Sequence, residues 1–141
     1  MSLACLAAAG AASGCNAGPS GSGLIPTIVT PTPKSETFTG TVLVRGSDAH
    51  PFVSSNYGEV SVTLTAAGPP VDITMGIGIG APASVVDSSC VLYQNASLST
   101  VAGSTPQLVG NIPAGAYCIV VFDVGNQTQP VSYSITVVHP Q

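Results

Sequence analysis

The sequence predicts an all-β protein: a two-sheet antiparallel β-sandwich, Greek-key or jelly-roll-like, with seven to eight strands. Three observations carry this. From Glu36 onward apolar residues recur with a period of two, most strictly in EVSVTLTA at 59–66. Turn residues punctuate the alternating runs, with 16 Gly and 12 Pro in 141 residues. No segment of that part carries the 3.6-residue period of an amphipathic helix.

The first strand is expected over 38–45, with Phe38, Gly40, Val42 and Val44 on one face and Thr39, Thr41, Leu43 and Arg45 on the other. A short strand around Phe52 follows, and Pro51 marks it as an edge. Residues 59–66 place Val60, Val62, Leu64 and Ala66 inward and Ser61, Thr63 and Thr65 toward solvent. The AAGPP turn at 66–70 leads into 71–80, where Val71, Ile73, Met75, Ile77 and Ile79 oppose Asp72, Thr74, Gly76, Gly78 and Gly80. That bare glycine face lets a backbone or ring approach closely, and its expected cover is Tyr93 or a neighbouring loop. A short strand over 90–94 precedes a polar loop over 95–107. Residues 116–124 are apolar on both faces and read as a central, covered strand. Residues 130–138 close the domain with Val131, Tyr133, Ile135 and Val137 inward, leaving His139 outside the sheet.

The run IPAGAY at 112–117 reads as a corner, with Tyr117 buried and its hydroxyl bonded to backbone near Ile112 or Pro113. An immunoglobulin domain is disfavoured, because Tyr117 precedes Cys118 by one residue and the chain has no Trp. Together with Pro51-Phe52-Val53, the stretch from Gly58 to Leu64 and Tyr133-Ser134-Ile135-Thr136-Val137, the corner resembles the bacterial pre-peptidase C-terminal (PPC) domain across about residues 38–138. That resemblance implies an accessory module of the kind appended to secreted hydrolases.

Residues 1–15 form an apolar, uncharged stretch too short to span a bilayer, which takes about 20 apolar residues. Its end, Ala12-Ser13-Gly14-Cys15, resembles the lipobox of bacterial lipoproteins. The resemblance implies a signal peptide over 1–15 and lipidation at Cys15. Residues 16–35, rich in Gly, Ser, Thr and Pro, read as a flexible tether to a sandwich over 36–141. With Cys5 in the signal and Cys15 lipidated, Cys90 and Cys118 remain for one disulfide in an oxidising compartment. No close cysteine pair of the zinc-site type occurs.

Charge narrows the functions. Lys34 and Arg45 are the only fixed cations and the formal net charge is −4, so nucleic-acid binding is excluded. No G-x-S-x-G elbow accompanies the two histidines, His50 and His139, and no enzyme is expected. His50, Met75, Cys118 and His139 lack the loop cluster of a copper site, and Asp48, Asp72, Asp87 and Asp123 are dispersed. No metal and no cofactor are expected. Tyr57 and Tyr93 are the aromatic candidates for ligand contact. The sequence therefore reads as a non-catalytic, exported, lipid-anchored binding or accessory module that meets an extracellular protein, peptide or glycan. The alternative is a structural surface protein that self-associates through its uncharged Ser/Thr/Gly faces.

Overall fold

The computed structural model describes residues 28–84 and 89–141. The expected signal, Cys5, Cys15, most of the tether and Asp87 lie outside the described residues. Eight strands are described: β1 (Pro33–Val42), β2 (Ser47–Ser54), β3 (Gly58–Gly68), β4 (Met75–Pro82), β5 (Cys90–Thr100), β6 (Leu108–Ile112), β7 (Gly115–Phe122) and β8 (Val131–Pro140). They form two four-stranded antiparallel sheets, ordered β1-β8-β3-β6 and β2-β7-β4-β5. The ladders β4·β5, β3·β6, β2·β7 and β1·β8 are those of one long hairpin rolled upon itself. This is the order of a jelly roll.

Alternation builds the core. Val60, Val62 and Leu64 of β3, Met75, Ile77 and Ile79 of β4, Ile119 and Val121 of β7, and Ile135 and Val137 of β8 are all at most 5% exposed. The opposite face of the first sheet carries hydroxyls in register. Thr37, Thr136 and Thr63 form one rank, and the Thr37 and Thr136 hydroxyls lie 3.0 Å apart.

Several boundaries differ from the sequence expectation. Strand β1 starts at Pro33, inside the expected tether, because its ladder with β8 runs back to Pro33↔Pro140. It stops at Val42: Arg45 adopts φ 58°, Gly46 N donates to Leu43 O at 2.8 Å, and Val44 is exposed. After the Pro69-Pro70 turn the chain stays irregular, with Ile73 N donating to Pro70 O, so Val71 is 85% exposed and the strand begins at Met75. Strand β5 continues to Thr100 through what reads as loop, and β6 is a further strand. His139 is not outside the sheet; it continues the inward face of β8 and is fully buried.

The glycine face of β4 is occupied from within the domain, and not by Tyr93. The Phe122 ring lies over Gly76, Leu92 and Ser97 lie over Gly78, and the Val91 backbone lies over Gly80. A Cβ at Gly80 would collide with the Val91 carbonyl. Between the pairs Gly78↔Ser97 and Gly80↔Leu92 the β4–β5 ladder slips, and the surplus residues of β5 form a wide bulge containing Asn95 at φ 62°. The Cys90–Cys118 disulfide spans this crossing with the Cα atoms 5.9 Å apart. It joins β5 to β7 although β4 lies between them in the sheet. Small residues on β4 are what let the bridge pass over its outer face.

Candidate binding cleft between two sheet edges

Rolling the ribbon leaves β1 beside β2 on one flank and β5 beside β6 on the other. Polar and aromatic side chains close the first flank. Phe38 stacks on His50 with ring centroids 4.8 Å apart. The Tyr133 hydroxyl donates to Asp48 Oδ2 at 2.7 Å, and His50 Nε2 lies 2.6 Å from the Tyr133 hydroxyl oxygen. A phenol has one proton, here given to Asp48, so His50 Nε2 is the donor to Tyr133. Burial, and then the Asp48 carboxylate, push the Tyr133 phenol far above its ordinary range. Nearer the end of the same flank, His139 Nε2 meets Glu36 Oε1 at 2.9 Å, and Lys34 Nζ meets that oxygen at 2.9 Å. The Lys34 hydrogen bond, followed by that of His139, holds the Glu36 carboxyl below its ordinary value. Both histidines are thus engaged in joining elements.

The second flank is open. A cleft of about 240 Å³ lies between β5 and β6, lined by Val60, Ile79, Tyr93, Leu108, Gly110 and Ile112 among others. A cavity of about 150 Å³ is enough for a benzene ring. No charged side chain lines the cleft. The β5 bulge carries Tyr93 to its rim, 45% exposed, where its ring meets Tyr117 edge-on at 6.3 Å. Tyr117 itself is 5% exposed and donates to Pro113 O at 2.8 Å, and burial raises its phenol above the ordinary range. Tyr57 is two-thirds exposed in the turn between β2 and β3 and does not line the cleft, so the two tyrosines are not brought into one site.

The loop from β5 to β6 closes the rest of the β3 edge. The Gln107 side-chain amide accepts from Leu64 N at 2.8 Å and donates to Leu64 O at 3.3 Å, as a neighbouring strand would. Gly103 N also donates to Leu64 O. Sequence reasoning missed β6 and its side of the cleft. The available signal was short: in LVGNI, Leu108, Gly110 and Ile112 alternate with Val109 and Asn111.

At the far end of the sandwich a polar recess of about 240 Å³ is lined by Pro69, Pro70, Asp72, Thr74 and Asn126 among others. Its neighbour Asp123 accepts from the backbone N–H groups of Arg45, Gly125, Asn126 and Gln127, which hold its carboxyl below the usual range. Those contacts build a turn. Among the described residues, no group of three His, Cys, Asp or Glu side chains is placed to hold a metal ion. No family model matches the chain, and no curated protein matches it.

Proposed function

We propose that this chain is a non-catalytic, exported binding or accessory module of the bacterial cell surface or periplasm, lipid-anchored at Cys15. Its partner is an extracellular protein, peptide or glycan. The observation that carries this reading is the uncharged cleft between β5 and β6, rimmed by Tyr93 and left open while the opposite flank is packed shut. Recesses of this kind, mostly apolar with a few polar groups at the rim, are the usual form of ligand sites. The Cys90–Cys118 bridge supports an oxidising compartment, and the PPC-like motifs support an accessory role.

The anchor is tested by mass spectrometry of the native protein, which should carry lipid on an N-terminal Cys15. Cys15→Ser should move the protein from the membrane fraction to the soluble one, and a native protein retaining unmodified Met1 refutes the anchor. The binding role is tested by exposing the immobilised chain to peptide libraries and glycan arrays; retention of neither refutes it. The rival reading, self-association, draws on the uncharged hydroxyl face of β1, β8 and β3. It no longer draws on the glycine strand, whose face is filled by Phe122, Leu92 and Val91. A monomer in sedimentation at high concentration refutes it.

A further inference from the structure

A β-sheet edge presents unpaired N–H and C=O groups to solvent, and proteins blunt such edges with inward charges, proline, bulges or covers. Three of the four edges here are blunted. Strand β1 turns Lys34 and Glu36 inward beside His139. Strand β2 holds Pro51 at its middle and Asp48 on its inward face. Strand β5 is broken by its bulge and bolted over β4 by Cys90. Among the described residues, strand β6 has none of these devices, and its shortness is its one protection. Its five residues, LVGNI, include no charge and no proline, and they pair with β3 without a register shift from Gly58↔Ile112 to Val62↔Leu108.

The inward face of β6 is also where the cleft opens. Gly110 pairs with the buried Val60, and a Cβ built on Gly110 would meet nothing within 4 Å. An extended segment laid along the free edge would place the residue opposite Gly110 on that same face, with its side chain in the cleft against Ile79 and Tyr93. Residues on either side of it would point outward beside Val109 and Asn111. A row of exposed backbone groups along β6 is matched in full by another extended backbone, and the uncharged lining selects an apolar side chain. A second copy fits poorly: antiparallel pairing of all five residues around a twofold puts Gly110 opposite Gly110 and leaves the cleft empty.

We infer that β6 is a docking edge for an extended segment of about five residues from another protein, added as a fifth strand with a large apolar side chain opposite Gly110. This rests on the proposed binding role and names its partner class.

The test pans a random peptide library against the full chain and measures the selected peptides with two perturbations. Gly110→Leu fills the cleft from within at an unstrained position, so folding and the unfolding midpoint should hold while affinity falls roughly ten- to a hundredfold. N-methylation along a selected peptide should abolish binding at every second residue and spare the residues between. Selected peptides indifferent to Gly110→Leu, or to N-methylation, overturn the inference. A glycan whose binding survives Gly110→Leu, with no peptide selected, overturns it while the binding role stands; retention of nothing overturns both. A wild-type dimer dissociated by Gly110→Leu makes the occupant a second copy and also overturns it.

Discussion

Replacing Cys90 by Ala removes the one covalent link in the described fold while deleting little buried surface, since Cys90 is only partly buried. The bridge closes a loop with a sequence separation of 28. In the chain-entropy model such a loop restricts the unfolded chain by about 12 cal/mol/K, or about 3.6 kcal/mol at 25 °C. For a domain of roughly 110 residues, each kcal/mol moves the unfolding midpoint by about 4 °C, so Cys90→Ala should melt about 15 °C lower. Cys118→Ala should cost slightly more, because Cys118 is 2% exposed and its sulfur leaves a void. The double variant is the discriminating measurement. The bridge can be lost only once, so its cost should match that of Cys118→Ala rather than the sum of the two singles. Urea unfolding of the three variants and the oxidised wild type gives all four numbers. A Cys90→Ala loss below about 1 kcal/mol, or additive singles, would refute the reasoning.

Further expectations concern single groups. Tyr117→Phe should cost about 0.5–1.5 kcal/mol through the lost bond to Pro113 O, read by chemical denaturation; no loss removes the corner's energetic role. Glu36, held below its ordinary value of 4.5, contributes stability present above that pH and lost as pH falls through its folded value. Glu36→Gln should therefore flatten the acid limb of a midpoint-versus-pH curve, and an unchanged limb would count against the Lys34–Glu36–His139 cluster. Tyr133, raised above its ordinary 10.0, contributes stability that is complete below pH 10 and declines as pH rises toward its folded value. Tyr133→Phe should cost about 1.5–3 kcal/mol at neutral pH, near the low end because Asp48 is about a third exposed, and should flatten the alkaline limb.

The strands that were legible are those whose two faces meet different surroundings. Residues 59–64 alternate because β3 lies between β8 and β6 with one face on the core; the expected inward place of Ala66 goes to Ala67 instead, because a register shift between Leu64 and Ala66 turns Ala66 outward. Most of 116–124 reads apolar because disulfide, neighbouring strands and core cover both sides, although β7 ends at Phe122 and Val124 is exposed. The edges were harder. The second half of β5 offers Leu98 as its one large apolar residue, and Gly110 interrupts β6, so neither run shows enough hydrophobic contrast. Val71 continues the apolar alternation of β4, yet the prolyl turn takes the chain away before the ladder begins. The flank clusters left no local trace at all. His139 finds Glu36 across 103 positions, and Tyr133 finds Asp48 across 85. The cleft was half legible: Tyr93 stood out as a polar-tipped aromatic, whereas its facing wall depends on a strand pairing that only the rolled topology creates.

Pro33 and Pro140 are register partners, and Gln141 N donates to Thr32 O at 2.9 Å, so the chain enters β1 and leaves β8 at one end of the sandwich. This geometry sets how the domain bears mechanical load. Residue 33 and β6 lie level across the sheet, because Ser35 pairs with Val138, Val138 with Ser61 and Ser61 with Val109. Tension between residue 33 and a partner on β6 would therefore run across the strands, along the ladder bonds. Such a pull, like one that separates Pro33 from Pro140, would load the β1–β8 ladder first at its Pro33↔Pro140 end and part it pair by pair from there. Both loads meet the same point, and the Gln141 N–H bond to Thr32 O beyond that pair is the clasp they would have to open first.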